Sequence, residues 1–273
     1  MSGLLEIRGL SVQFPRPRRE PPMTALDRVD LHVEPGETMG IVGESGSGKT
    51  TLGNVVLGLV RPAAGSVVLD GEDITAAGRK RRRELSRDLQ IVFQDPYGSL
   101  NPMRTVVQTL EEPLLAHLSL TRRQRRDRVA EALERVGLER EDATRYPGSF
   151  SGGQRQRIAI ARALMLEPKL VVCDEAVSAL DLSIQAQILN LLRSLQQELG
   201  LTLLFITHDL AVVRYVSDRV TVLYRGHVVE HGPAEQVCTR PSDPYTKRLL
   251  AAAPSPGRPR PRPTGSSEQG VQV

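Results

Sequence analysis

At 273 residues, 40% hydrophobic and 25% charged, the chain has the composition of a globular protein with a sizeable core, which argues against a largely disordered chain. Aromatic residues make up only 3% and Trp is absent, so a base-stacking platform for nucleic acid is not expected. The formal charge of +4 gathers in arginine patches at Arg16, Arg18 and Arg19, Arg79 to Arg83, Arg122 to Arg128 and Arg258 to Arg262, which read first as solvated surface.

In chain order, Met1 to Leu10 lacks the charged-then-apolar design of a signal peptide. Leu4 to Val12, Asp30 to Val33 and Ser66 to Leu69 alternate apolar and polar residues, as half-exposed antiparallel strands do, with Asp70-Gly71 as a turn. Phe14 precedes a polar, proline-rich loop, Pro15 to Pro22. Met39 to Val42, Leu89 to Phe93, Leu170 to Cys173 and Leu203 to Ile206 are continuously apolar, the pattern of parallel strands covered on both faces. Helices are predicted over Thr50 to Leu59, Thr121 to Val136, Gly153 to Leu166 and Ser183 to Leu199, the last with Ser183 as N-cap and Gly200 as its stop. The stretch from Pro96 to Tyr146 is strand-poor and reads as a helical insertion between two strand-bearing halves. Cys173 and Cys238 have no ligand-like neighbours and are too few for a disulfide framework, which suits a reducing cytosol. The longest apolar runs, such as Leu201 to Ile206, fall short of the roughly 20 residues that span a bilayer. From Pro254 to Val273 the composition turns to Pro, Gly, Arg and Ser, and disorder is expected.

Chemistry concentrates first in Gly43-Glu44-Ser45-Gly46-Ser47-Gly48-Lys49-Thr50, a complete P-loop between a predicted strand and a predicted helix. Its glycines let backbone N–H groups wrap a phosphate at the positive end of a helix dipole. Lys49 reaches the β- and γ-phosphates, the Thr50 hydroxyl suits Mg²⁺, and Thr51 adds a phosphate contact. A P-loop alone fits kinases, GTPases, helicases and motors. Leu170 to Glu175 narrows the field, since a hydrophobic strand ends in two adjacent carboxylates. Asp174 is placed to orient Mg²⁺ and Glu175 to polarise an attacking water. Phe150-Ser151-Gly152-Gly153-Gln154 precedes a long helix and forms a second anion site, from a serine hydroxyl and glycine amides at a helix N-terminus.

Through these segments the chain resembles the ABC ATPase family, whose signature is usually Leu-Ser-Gly-Gly-Gln where this chain has Phe150. The resemblance covers about Leu4 to Pro254 and implies an α/β P-loop NTPase core with an antiparallel β-subdomain and an inserted helical subdomain over about 96–150, the ABC ATPase domain as a whole spanning 1–253. It makes Gln94 the Q-loop residue that touches Mg²⁺ or the attacking water, Ser178-Ala179-Leu180-Asp181 the loop that crosses the dimer interface, and His208 the γ-phosphate switch. In the family an aromatic residue upstream of the P-loop stacks on adenine. Phe14 is the candidate, with a core phenylalanine as the alternative.

Several segments look like the dipeptide, oligopeptide and nickel importer branch. They are Phe93 to Pro96 running into Ser99 to Pro102, Ser183 to Gln187, and Asp243-Pro244-Tyr245-Thr246 with Leu249-Leu250. Ala176-Val177 departs from the common Pro-Thr, and two isolated cysteines cannot make the C-terminal cluster motif of longer members. The resemblance implies an ATPase using ATP and Mg²⁺, peripheral on the cytoplasmic face of the cell's inner membrane. Its implied partners are transmembrane permease subunits, a second ABC ATPase, identical or paralogous, and indirectly a substrate-binding protein, with no nucleic acid. Peptide and nickel both stand as cargo. A soluble ABC ATPase of ribosomes or chromosomes is the runner-up, but it normally carries two cassettes or a long coiled coil. An exporter ATPase is a further alternative.

Overall fold

The computed structural model describes residues 3–17, 21–95 and 97–252. The expected disorder of the segment from Pro254 onward, Arg18 and Arg19 of the first arginine patch, and Pro96 lie outside the described residues.

Two sheets divide the strands. An antiparallel sheet has the order β2-β1-β4-β5, from β1 (Leu5–Phe14), β2 (Met23–Val33), β4 (Ala64–Leu69) and β5 (Glu72–Asp73). In β1 the buried set shifts phase from Leu5 and Ile7 to Leu10 and Val12, because the pairing slips by a residue around Gly9. The second strand is longer than its Asp30 to Val33 alternation predicts, since Met23 pairs with Phe14 and Thr24 with Gln13. Asp70-Gly71 closes the β4–β5 hairpin as expected.

A six-stranded sheet runs β10-β9-β3-β8-β7-β6, from β3 (Thr38–Val42), β6 (Leu89–Val92), β7 (Leu170–Asp174), β8 (Thr202–Thr207), β9 (Arg219–Tyr224) and β10 (His227–Pro233). Every pair in it is parallel except β9 with β10. The residues of β3 and β8 are buried throughout, as the continuous apolar runs demand. The β9–β10 hairpin was not among the expected elements. Its Arg225-Gly226 turn, with both φ positive (48° and 83°), is the two-residue type that matches strand twist.

Helices cover the sheet. They are α1 (Lys49–Val56), α2 (Arg79–Leu85), α3 (Val106–His117), α4 (Arg122–Arg135), α5 (Gly152–Leu164), α6 (Leu182–Leu199), α7 (Leu210–Val216), α8 (Ala234–Thr239) and α9 (Pro244–Ala252). The N-cap of α6 is Asp181, which accepts the Ile184 N–H at 3.0 Å, so Ser183 lies inside the first turn and is not the cap. Gly200 ends α6 in the left-handed conformation.

Between β6 and α5 the described chain is helical and carries capping boxes at Thr105 and Thr121. Val106, Leu110 and Leu114 of α3 and Val129 and Leu133 of α4 share one buried cluster with Ile158 and Ile160 of α5 and Ile188 of α6. A second cluster joins the antiparallel sheet to α1 and one face of the parallel sheet, through Leu5, Ile7, Leu26, Leu52, Val172 and Ile206. A third packs Tyr245 of α9 with Val42, Val213, Val222 and Val237. No helix of the described residues is long and apolar enough to cross a membrane.

Candidate functional site

Strand register assembles the site. Val42 pairs with Thr207 and Asp174 with Ile206, so β3, β7 and β8 end at one edge of the sheet. The residues that follow those ends, Gly43, Glu175 and His208, therefore converge there, where parallel α/β sheets bind ligands.

The P-loop wraps from β3 into α1. Gly43 and Ser47 are buried while Glu44, Ser45 and Gly46 form an exposed rim, and Thr51 is half-buried on α1. At Gly48, φ is +108°, and an added Cβ would come within 2.6 Å of the Ala25 carbonyl on β2. The β9–β10 turn braces the same loop. Gly226 donates its N–H to the Ser47 carbonyl at 2.9 Å and accepts the Asp27 N–H at 2.9 Å.

Lys49 is 5% exposed and donates from Nζ to the Gly43 and Glu44 carbonyls, each at 2.8 Å. Burial pulls its pKa below the ordinary lysine value, opposed by the nearby carboxylates of Glu175, Asp174 and Glu44. The Thr50 hydroxyl donates to Asp174 Oδ1 at 3.3 Å. Burial raises the Asp174 pKa; the Thr50 bond opposes the rise, the Glu175 charge adds to it and Lys49 opposes it. Cys173, one residue earlier and buried, is pushed up to about 12 by desolvation and is an inert core thiol.

Glu175 sits at a backbone φ of 49°, with its N–H on the Ile206 carbonyl at 2.9 Å. Its Oε1 lies 3.1 Å from His208 Nδ1, and Ser178 donates to its backbone carbonyl at 3.0 Å. His208 is held between the end of β8 and the cap of α7, where Asp209 accepts the Ala211 and Val212 N–H groups. Lys49, Thr50, Asp174, Glu175 and His208 thus form one connected group.

The other sequence-derived residues lie apart from it. Ser151 caps α5 in a closed capping box with Gln154, donating its N–H to Gln154 Oε1 at 3.0 Å and accepting the Gln154 N–H at 3.3 Å. Gly152 and buried Gly153 begin α5, and a Cβ on Gly153 would reach within 2.5 Å of Ile184 on α6. Among the described residues no hydrogen bond or ion pair links Ser151 to Gln154 with the P-loop group. Asp181 is exposed at the head of α6. Gln94 is exposed just beyond β6, next to Phe93, whose carbonyl accepts the side chain of fully buried Gln156 at 3.3 Å. Phe14 is half-buried at the end of β1, paired with Met23 of β2, and packs against the second core cluster.

Sequence reasoning left Tyr245 out of the site. Its hydroxyl accepts the Glu44 N–H of the P-loop at 3.0 Å. The only signal for it was its place in the Asp243 to Thr246 segment.

The donor chemistry fits a magnesium nucleotide. Among the described residues the Ser47 hydroxyl is buried in the loop without a hydrogen-bond partner, and Thr50 and Asp174 present hard oxygen donors side by side.

The ABC transporter family model matches residues 26–178. The oligopeptide transport ATP-binding protein OppF of Bacillus subtilis is 49% identical over 257 residues, covering 93% of this chain and 83% of the relative. Among solved structures, cbiO1 from Clostridium perfringens, part of the ABC transporter complex cbiONQ, superposes with TM-score 0.79 at 30% identity, over 88% of this chain and 92% of that one. The ATP-binding cassette MJ0796, a dimer bound to ADP and Pi after hydrolysis, superposes with TM-score 0.75 at 32% identity, over 84% of this chain and 98% of that one.

Proposed function

Because the chain belongs to the ABC transporter family of ATP-binding proteins, in its peptide-import branch, we propose that it drives the uptake of peptides as the ATP-hydrolysing subunit of an importer. It works at the cytoplasmic face of the membrane, seated on transmembrane permease subunits and paired with a second cassette. One observation carries the chemistry: a buried lysine, a Thr–Asp pair and a Glu–His pair gathered at the edge where β3, β7 and β8 end. The oligopeptide transport relative favours peptide over nickel as cargo.

Phosphoryl transfer to water asks the protein for positioning and charge neutralisation. In the proposed site, amides from Ser45 to Thr51 cradle the phosphates, Gly43 and Glu44 shape the loop, and Lys49 exchanges its two carbonyl partners for phosphate oxygens. Thr50 and Asp174, with Gln94, hold Mg²⁺, which when bound offsets phosphate charge. Glu175 orients and polarises the attacking water, and His208 holds Glu175 and reaches toward the γ-phosphate. Phe14 covers the adenine from the end of β1. The second cassette contributes Ser151, Gly152, Gly153 and Gln154 across the interface, with Asp181 beside it. The dimeric cassette with bound ADP and Pi supports this pairing, and the cassette that forms part of cbiONQ supports a seat within a transporter.

Reconstitution with its permease subunits in lipid vesicles tests the reading. Peptide-loaded capture protein is expected to stimulate ATP hydrolysis and to drive labelled peptide across the membrane. Hydrolysis that ignores peptide, with no accumulation, would exclude the importer role.

A further inference from the structure

We infer that Tyr245, on helix α9, is a positioning residue of the nucleotide site, setting the first peptide of the P-loop so that the loop is preformed for phosphate. The inference rests on the nucleotide-site reading above and extends it to the C-terminal segment of the described chain.

The peptide between Gly43 and Glu44 is gripped at both ends. Its carbonyl accepts from the Lys49 ammonium at 2.8 Å, and its N–H donates to the Tyr245 hydroxyl at 3.0 Å. The backbone runs tight against β9 at this point: a Cβ on Gly43 would come within 2.2 Å of the Leu223 carbonyl. Turning that peptide over would withdraw one of the two carbonyls that hold Lys49 and would leave the N–H without the Tyr245 hydroxyl as its acceptor.

Tyr245 itself is fixed from three sides. It is 5% exposed, its ring lies 4.1 Å from that of Tyr224 at the end of β9, and it packs in the cluster that contains Val42, the residue before Gly43. Its helix is nailed down locally. Asp243 accepts the Tyr245 N–H at 2.7 Å and the Thr246 N–H at 3.3 Å, while Glu230 of β10 accepts from the Ser242 N–H at 2.7 Å and the Ser242 hydroxyl at 2.9 Å. Ser242, Asp243 and Tyr245 therefore each have a part in delivering one hydroxyl to the P-loop.

Tyr245→Phe removes that hydroxyl and keeps the ring. Titration calorimetry of the full chain with Mg·ADP, well below the melting temperature, isolates the effect, since a purely structural loss of stability leaves the dissociation constant of the folded protein unmoved. The dissociation constant is expected to rise about 3- to 10-fold, the worth of one neutral hydrogen bond. Tyr224→Phe, which alters the same ring pair without touching the loop, is expected to leave it unchanged. A Tyr245→Phe constant within about 1.5-fold of wild type, or an equal rise in Tyr224→Phe, overturns the positioning role. Wild-type protein that fails to bind Mg·ADP overturns the nucleotide-site reading itself. Should Tyr245→Phe not fold, hydrogen exchange of the Glu44 amide in the nucleotide-free wild type decides: protection supports the contact, and exchange at the rate of an open loop overturns it.

Discussion

Two phosphate-directed segments of this chain, the P-loop and the Ser151 to Gln154 loop, use the same physics and end in different conditions. Both offer glycine amides at a helix N-terminus. The P-loop is surrounded by its own chain: Lys49 is buried on two carbonyls, and β2, the β9–β10 turn and α9 all brace the loop. Ser151 is exposed, with Gly152 and Gln154 half-buried behind it, and its capping box is satisfied within itself. One segment is half of a site with its catalytic partners already assembled. In the proposed function the other is the donor surface that a second cassette lends across the interface.

The contrast predicts opposite phenotypes. Lys49→Ala removes the buried cation from the preformed half, and a single chain is expected to lose Mg·ATP affinity by about 100-fold or more, as charge-assisted contacts to phosphate imply; nucleotide titration of the monomer checks it, and unchanged affinity would break the comparison on its first side. Ser151→Ala is expected to leave monomer affinity unchanged and lower turnover by about 100-fold, the cost of removing one preorganised donor. Steady-state hydrolysis beside monomer binding separates the two, and a loss of monomer affinity would erase the distinction. Because Ser151 also caps α5, this variant is expected to melt a few degrees lower, from a cap worth about 1 kcal/mol.

A smaller effect sharpens the account of the assembled half. Burial lifts the Asp174 pKa, so between the ordinary aspartate value and the raised one the folded chain keeps a proton there that the unfolded chain has released. Stability from this group therefore falls as pH rises from the ordinary aspartate range through the raised value. Asp174→Asn is expected to melt a few degrees higher than wild type at neutral pH without nucleotide, with the gap closing on acidification. Calorimetric scans across pH check it. The same variant is expected to lose Mg²⁺-dependent binding, so the site trades stability for function.

The P-loop and the strand-ending Asp174-Glu175 pair were legible because their chemistry is written in consecutive residues. The parallel core strands were legible because burial on both faces leaves unbroken apolar runs such as Leu203 to Ile206. The β9–β10 hairpin was not legible. The second of its strands has no buried residue and carries His227, Glu230 and His231, so neither a continuous run nor a clean alternation marks it, and only Arg225-Gly226 signals the turn. Asp181 rather than Ser183 as the cap of α6 turns on which side chain reaches the third helical N–H, which spacing alone leaves open. Tyr245 was hidden because its contact spans 201 residues of sequence.

The most direct test of the central claim is the association state of Glu175→Gln with saturating Mg·ATP, read by light scattering on a sizing column. Two cassettes closing around nucleotide, each lending its Ser151 loop to the other's P-loop, predict a stable pair with turnover reduced by about 1,000-fold, dispersing when nucleotide is removed. A variant that binds Mg·ATP, hydrolyses it slowly and stays a single chain, alone or mixed with its paralogous cassette, would contradict the account.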